Sequence, residues 1–246
     1  MHAMILKHPL TSAHLAGVTI EQYTVQSGHK YLIQKSSQGE VIKWATAIPD
    51  LEWTTIWRSF KGVRKFLPPR QTILWWRFLQ HNLMTGARIH HMNPLFSDVC
   101  HLCSSDRETL DHLFWECIEV RKFWGKVFQL LQLLVPGHHV PGPQLVHIVN
   151  PFPMLPKTVF PIIVFIHGTA LWSIWKTYLG VLFQGEHFNP VALHRHFVSF
   201  FTSHIQVLFS IACKKKRVAS FVKLWCRSNC ISICEGKVSV DVSLYF

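Results

Sequence analysis

Acidic residues are scarce in this chain of 246 residues, which holds 13 Asp and Glu against 25 Lys and Arg. The formal net charge is therefore +12, although only 15% of the residues are charged. The few carboxylates form no paired acid–base motif, and a glycine-rich phosphate loop, a G-x-S-x-G turn and an H-E-x-x-H helix are also missing. A cysteine–histidine nucleophile assembled from distant positions stays open, but nothing local supports one. We therefore expect a protein that is not an enzyme.

A secretory signal is not predicted. The first ten residues contain His2, Lys7 and His8 and no long apolar core, so they do not predict a signal peptide. The seven cysteines, an odd number, suit a reducing compartment better than a disulfide framework. We expect an intracellular protein, nuclear or cytoplasmic, that is not secreted.

Two uncharged runs need weighing as possible membrane spans, residues 158–175 and 196–213, each of 18 residues. That length is near the lower limit for crossing a bilayer. Both runs contain residues that suit a lipid-facing helix poorly, such as Pro161 and His167 in the first and His204 in the second. We predict two buried helices of a soluble domain. A membrane-associated helical protein remains the alternative.

Cysteine and histidine are concentrated between residues 100 and 117, in the pattern C-x2-C-x8-H-x4-C. The four residues are Cys100, Cys103, His112 and Cys117. Zinc binds thiolate and imidazole ligands in a tetrahedron, and two cysteines separated by two residues present both sulfurs from one tight turn. The pattern predicts a structural Zn site; the alternative is three buried cysteines beside a solvated histidine. His101, between the two cysteines, is expected to point outward.

The position of His112 restricts the geometry of the helix that carries it. Ser105 and Glu108 form a capping-box pattern, which predicts a helix that begins near Asp106 and carries His112. On a regular helix His112 and Cys117 would lie about 140° apart. Both can face one ion only if the helix ends or is distorted before Cys117.

Charge is unevenly distributed around the cysteine pattern. Residues 53–97 contain seven Lys or Arg and no acid, whereas residues 98–119 contain six acids and one Arg. A strongly basic chain usually meets a polyanion, and affinity for nucleic acid arises mainly from such charges. The candidates for phosphate contacts are Arg58, Lys61, Arg64, Lys65, Arg70, Arg77 and Arg88. The alternative is a scatter of charges over solvated faces.

Helices dominate the predicted secondary structure. Apolar spacing predicts a helix over 53–60, a second over 71–83 that is apolar nearly all round and therefore buried, and a third over 123–134. Residues 20–43 predict a short β-hairpin with Gly28 at its turn. The predicted fold is mainly α: a helical domain with a short N-terminal β-hairpin and a small CCHC zinc-stabilised loop-helix module.

Four segments are predicted along the chain. Residues 1–47 form an N-terminal segment with the hairpin, and residues 48–135 form a helical zinc-binding module. Residues 136–156, with six prolines and two glycines, are typical of a linker or surface loop. Residues 157–246 form a hydrophobic helical C-terminal region.

Two further features lie in the C-terminal region. Cys226, Cys230 and Cys234 recur every four residues, which predicts a helical stripe of small core residues or, alternatively, a second metal site. The basic run 214–217 suits a nuclear-localisation or phosphate-binding patch, and equally a solvated helix end.

The order of several motifs resembles a known domain family. The motifs are Trp53-x-x-Ile56-Trp57, Trp76-Arg77-x5-Leu83-x-Thr85-x-x-Arg88, the cysteine–histidine pattern with Glu108-Thr109 inside it, and Trp124. Together they resemble the zinc-binding domain found downstream of the reverse transcriptase in LINE-type (non-LTR) retrotransposon polyproteins. The resemblance covers about residues 20–130, and the segment 171–176 is similar to a Trp-containing helix that often follows.

The resemblance implies a ligand set and partners. Cys100, Cys103, His112 and Cys117 would bind zinc, and the partners would be RNA or DNA and the reverse transcriptase of the same element. The sequence has no polymerase aspartate pair, endonuclease or RNase H carboxylate set, and Thr177 to Gly180 stand where the family usually has Arg-Asn. We therefore expect a C-terminal piece of such a polyprotein that binds nucleic acid. A structural or protein-interaction module, whose zinc only holds helices together, is the alternative.

Overall fold

The structure, a computed structural model, describes residues 14–15, 18–19, 48, 51–154 and 156–242. The chain divides into two units, residues 1–50 and 51–246. In the first unit, strands β1 (His14–Leu15) and β2 (Val18–Thr19) pair antiparallel, with His14 opposite Thr19. The hairpin predicted in residues 20–43 lies outside the described residues.

The second unit is mainly α-helical, as predicted. Its first helices are α1 (Trp53–Val63), α2 (Pro69–Leu79) and α3 (Gly86–Met92). A π-helical turn (His112–Glu116) leads into α4 (Ile118–Leu134), followed by α5 (Leu145–Val149) and two 3-10 turns (Phe152–Met154 and Lys157–Val159). The long helices α6 (Phe160–Gln184) and α7 (Pro190–Lys214) and the short helix α8 (Val218–Trp225) come next. Strand β3 (Ile231–Cys234) then pairs antiparallel with β4 (Lys237–Val240).

Helix α2 differs from its prediction in length and burial. It begins at Pro69, because a proline in the first turn of a helix costs no backbone hydrogen bond. The apolar pattern predicted a helix to Leu83, but α2 ends at Leu79 and His81 takes a left-handed conformation with φ of 53°. The predicted burial on all sides is also wrong, since Ile73 and Trp76 are 54% and 46% exposed.

Helix α6 forms the centre of the core. All residues from 162 to 171 are buried, and the helix packs against α2, α4 and α7. The chain that joins α1 to α2 approaches it closely at Gly168, where a Cβ would overlap the Leu67 side chain. The prediction of a buried helix over 158–175 is therefore confirmed.

Helix α7 is apolar but exposes most of its surface. Its buried residues recur every four positions and form one stripe: Leu193, Phe197, Phe201, Ile205 and Phe209. In the most apolar 18-residue window, 22% of α7 is buried, against 78% of α6. The predicted burial of the second run is therefore wrong except along this stripe. By length and composition both helices could cross a membrane, a property that core helices of soluble proteins share.

The proline-rich segment 136–156 and the C-terminal cysteines pack in ways that spacing does not indicate. Phe152 stacks on the buried Trp75 with ring centroids 5.6 Å apart.

Cys226 follows the end of α8, Cys230 precedes β3, and Cys234 is the last residue of that strand. The predicted helical stripe of three cysteines is therefore wrong.

Candidate metal centre

The first two cysteines lie in a tight turn. The Cys100 N–H donates to the Asp106 carbonyl (2.7 Å), and the Ser104 N–H donates to the Cys100 carbonyl (2.8 Å). The N–H groups of Leu102 (3.4 Å) and Cys103 both donate to Cys100 Sγ. These bonds orient the sulfur and favour its thiolate form.

The other two residues flank the π-helical turn. Its closing bond runs from the Cys117 N–H to the His112 carbonyl (2.8 Å), five residues back instead of four. Two residues joined in this way lie nearly above one another, so their side chains can face the same side. The helical conformation then breaks at Cys117, whose ψ is 125°. The helix distortion that the sequence demanded before Cys117 is therefore present.

The four donor atoms converge. The sulfurs of Cys100, Cys103 and Cys117 and a ring nitrogen of His112 all lie within 4.8 Å of one another, and Cys103 Sγ is 3.3 Å from His112 Nε2. With bonds of about 2.3 Å to sulfur and 2.0 Å to nitrogen, the donors of a tetrahedral zinc lie about 3.5–3.8 Å apart. The four side chains therefore fit a zinc ion. Among the described residues, no other group of three or more Cys, His, Asp or Glu has this arrangement.

Comparison with known families supports the same metal. Residues 23–124 match the family model described as zinc-binding in reverse transcriptase. This segment, less than half of the chain, is therefore similar to a zinc-binding domain associated with reverse transcriptases, and residues 23–124 are called the zinc-binding domain below. Comparisons with curated proteins and with solved structures gave no match. The zinc-binding domain contains the complete donor set and the helices α1 to α3.

Two buried sulfurs of the zinc-binding domain interact directly. The pKa of Cys117 is lowered to about 6, mainly by a hydrogen bond with the Cys100 thiol and to a smaller extent by the N–H groups of Glu119 and Val120. The same bond and burial raise the pKa of Cys100. Because Glu119 and Val120 lie in the first turn of α4, the positive end of that helix favours a thiolate at Cys117. A thiolate is the form that binds zinc.

His112 is oriented by a threonine and faces an acid. Thr109 Oγ1 accepts a hydrogen bond from the His112 N–H (3.0 Å), which caps the turn. Nδ1 of His112 lies 4.0 Å from a carboxylate oxygen of Asp106. A carboxylate on the outer nitrogen of a zinc-binding histidine helps to fix the ring tautomer that leaves the other nitrogen free for the metal.

The predicted capping box is wrong. The Ser105 hydroxyl donates to the Cys103 carbonyl (3.2 Å), and the helical turns begin at Leu110 instead of near Asp106. Glu108, the other half of the pattern, is occupied elsewhere.

Glu108 is the site residue that sequence reasoning missed. Its side chain is fully buried, and Oε1 accepts from the Gly86 N–H (2.6 Å). Oε2 accepts from the backbone N–H and from Nδ1 of His101, both at 2.8 Å. The Tyr178 hydroxyl of α6 donates to the Met84 carbonyl (3.3 Å) close to this carboxylate; burial first, and then the negative charge of Glu108, raise the pKa of the Tyr178 hydroxyl. One carboxylate thus connects the cysteine turn, the start of α3 and the core.

His101 does not point outward as predicted. Its ring nitrogen bonds to Glu108, and its ring lies 5.6 Å from that of Phe96 and 6.3 Å from that of Tyr178. The ring therefore supports the turn from the side of Glu108. Gly86 is required at the same place, since a Cβ there would lie 2.8 Å from Glu108 Oε1.

The seven basic candidates all lie on the surface of the zinc-binding domain. All seven side chains are exposed. Arg58 and Lys61 are on α1, Arg64 and Lys65 follow α1, Arg70 and Arg77 are on α2, and Arg88 is on α3. None of them forms an ion pair with another described residue. Their charges are therefore available to solvent and to a ligand.

Proposed function

We propose that the zinc-binding domain binds nucleic acid through the basic surface of α1, α2 and α3. The observation that carries the proposal is the exposure of seven cations in a segment, residues 53–97, that contains no acid. Exposed cations without neutralising partners are the main source of affinity for phosphate backbones.

The contacts of the metal centre support a role for zinc in presenting this surface. Phe78 of α2 lies 5.0 Å from Phe114 in the π-helical turn, measured between ring centroids. His81, just after α2, bonds to Asp111 at 3.1 Å. The Glu108 carboxylate holds the first N–H of α3. An ion that fixes the turn therefore also fixes the helices that carry the cations.

The zinc in this proposal is structural. A bound zinc would supply a fixed tetrahedral joint between the cysteine turn and the π-helical turn, with Cys100, Cys103, His112 and Cys117 as its ligands. Four protein ligands leave no open position for water or substrate, so the proposed activity is binding and not catalysis.

The proposed context is a LINE-type retrotransposon polyprotein. The family match supports an association with a reverse transcriptase, and the motif order from Trp53 to Trp124 supports the LINE-type branch. RNA or DNA of the element, and its reverse transcriptase, would then be the partners, inside the cell. The module would hold template or target near the polymerase.

The test is salt-dependent binding by the zinc-loaded chain. Fluorescence anisotropy with labelled RNA and DNA of mixed sequence, measured from low to moderate salt, should give affinity that falls steeply with salt, with a slope of about −0.7 to −0.9 per phosphate contact. The combined variant Arg58→Gln, Lys61→Gln, Arg64→Gln and Arg70→Gln should weaken binding at least tenfold and flatten that slope.

The matched control removes the same charge elsewhere. Four exposed cations outside the basic segment, Arg121, Arg195, Lys223 and Lys237, are changed to Gln together. Equal losses in the two variants would indicate attraction by net charge alone. No salt-dependent retention by the unmodified chain would overturn the proposal.

A protein-interaction module is the second candidate function. The exposure of Ile73 and Trp76, three residues apart on α2, favours it, because a patch of large exposed apolar side chains commonly marks a docking site. Binding to the reverse transcriptase of the element without binding to nucleic acid would select this function.

A further inference from the structure

The outer face of α2 combines aromatic surface with positive charge. Trp76 is 46% exposed, and its ring lies 5.0 Å from that of Trp57 and 5.9 Å from that of Phe60. Three aromatic rings thus form a firm platform with one partly free face. On the same helix, Arg70 and Arg77 are seven residues apart, two turns along one face and about 10 Å in rise.

Two shallow hollows extend along this face. The first, of ≈ 350 Å³, lies between α1 and α2 and is lined by Phe60, Lys61, Arg64, Thr72, Ile73 and Trp76. Its lining combines apolar and aromatic side chains with two exposed cations, Lys61 and Arg64. In the part of the chain that the structure describes, no acidic residue lines it.

The second hollow, of ≈ 240 Å³, lies between α2 and α6. Arg70 and Arg77 line it together with Trp172 and Trp175, and Ile73 belongs to both hollows. Trp175 is supported from behind by Phe114, nearly parallel at 15° with centroids 6.4 Å apart. No described acid lines this hollow either. The two hollows meet at Ile73 on the exposed side of α2, and together they are called the α2 groove, with aromatic side chains and two cations in each half.

We infer that the α2 groove binds the unpaired nucleotides of single-stranded RNA or DNA. Bases would stack on Trp76 and on the Trp172–Trp175 pair, while the phosphates lie against Lys61, Arg64, Arg70 and Arg77. Proteins that bind single strands without sequence preference combine these two elements, a basic groove and aromatic side chains for stacking. A duplex keeps its base faces covered, so it would use the cations but not the tryptophans.

Charge complementarity separates this occupant from a protein partner. Among the described residues, four cations and no acid line the groove. A protein surface would have to supply several acids at matching positions, whereas every nucleotide supplies a phosphate beside an aromatic base. The inference rests on the proposed function and adds to it the kind of nucleic acid and the place where it binds.

The experiment compares single-stranded with duplex probes on the full zinc-loaded chain. Labelled homopolymers of U and of dT, and a duplex of equal length, are titrated at constant salt with three proteins: the unmodified chain, Trp76→Leu and Arg77→Gln. Trp76→Leu should weaken single-strand binding about tenfold, the loss typical of one stacking residue, with little effect on the duplex. Arg77→Gln should weaken both.

Matched controls use residues outside the groove. Phe183→Leu removes an aromatic side chain that is 71% exposed at the end of α6, and Arg195→Gln removes an exposed cation of α7. Neither should change single-strand affinity more than twofold. Zinc content and the helical circular dichroism signal, measured for each variant, report whether the fold is kept, and Trp172→Leu tests the second half of the groove if Trp76→Leu fails to fold.

The outcomes separate the two proposals. Salt-dependent binding of both probes with no selective loss in Trp76→Leu or Trp172→Leu would overturn the groove and leave the basic surface standing. Absence of binding to any probe would overturn both. A selective single-strand loss in the tryptophan variants, with unchanged controls, would support the groove.

Discussion

The turn that carries the zinc donors and the helix α6 are held in place by different forces. The turn between Cys100 and Cys117 depends on polar contacts: N–H groups directed at sulfur, a buried carboxylate at Glu108 and four converging donors. Helix α6 depends on apolar burial against three other helices. A segment like the turn loses its geometry when one ion or one hydrogen-bond acceptor is removed. A helix like α6 instead loses stability in proportion to the apolar surface that becomes exposed.

Removal of zinc should produce the largest difference between the two regions. A structural zinc contributes an apparent binding free energy of about 10–16 kcal/mol, much of which becomes folding free energy of the ligand-bearing segment. We expect the amides of Leu102 and Cys117 to lose protection from hydrogen exchange when zinc is chelated, while those of α6 keep theirs.

Elemental analysis supplies the companion measurement. The unmodified chain should contain one zinc, and the double variant Cys100→Ser with His112→Ala should contain none. Equal protection of the turn with and without the metal would refute the structural role.

Truncation of a buried side chain in the apolar core should have the opposite effect to zinc removal: it should lower stability and leave zinc binding unchanged. Phe165 is fully buried, with its ring 5.3 Å from that of Phe201 and 5.4 Å from that of Trp225. Phe165→Ala should lower the free energy of unfolding by about 3–5 kcal/mol, because it leaves a cavity. Urea titration measures the loss, zinc content should stay at one per chain, and Phe183→Ala should change stability by less than about 0.5 kcal/mol. Loss of zinc in Phe165→Ala would mean that the two regions are not separable.

Glu108 links the two regions, so its substitution should affect both. Glu108→Gln leaves a buried amide in place of an acceptor for three N–H groups, which should cost about 3 kcal/mol. Support of a metal-binding turn by such outer groups is typically worth 10- to 100-fold in metal affinity, and we expect a zinc affinity weaker by that factor. A competition titration with a chelator measures it, and Glu116→Gln, at an exposed acid nearby, is the control. Unchanged zinc affinity in Glu108→Gln would show that Glu108 stabilises the core and does not support the metal-binding turn.

The smallest expected effect is a pH dependence that belongs to the core alone. Burial lowers the pKa of His167 from 6.5 to about 3, and its ring is enclosed by Trp75 (4.8 Å) and Trp124 (5.2 Å). As the pH falls, the unfolded chain therefore binds the proton before the folded chain does. The contribution of neutral His167 to the free energy of unfolding is complete above pH 6.5 and falls as the pH drops toward 3. At pH 5 the loss should be about 2 kcal/mol.

Comparison with His167→Leu isolates this contribution. Both proteins are unfolded in urea at pH 7 and pH 5 with the same saturating zinc, so that effects on the ligands cancel. The unmodified chain should lose about 2 kcal/mol more than the variant over this interval. The same pH dependence in both would show that His167 does not hold its low pKa in the folded state.

Local spacing predicted the parts of the site that depend on neighbours in the chain. The C-x2-C pair predicted a turn that directs two sulfurs to one point, and the five-residue step from His112 to Cys117 predicted a distorted helix; both are present. The capping box failed because the same acid, Glu108, has partners at Gly86 and His101 that no local pattern indicates. The direction of a side chain toward a distant partner is not encoded in its spacing.

What the sequence determined by itself is therefore the donor set, the helical fold class and the acid-free basic segment, since each depends on residue type and local periodicity. The tertiary structure decided which apolar surfaces are covered. Helices α6 and α7 have the same length and nearly equal mean hydropathy over their most apolar 18 residues, 1.2 and 1.3, yet one is buried on most sides and the other along one stripe. The reason is that the burial of one surface requires a second surface to cover it. Helix α6 is enclosed by three helices, while α7 covers α6 from outside. Composition alone does not determine which of two apolar helices will be inside.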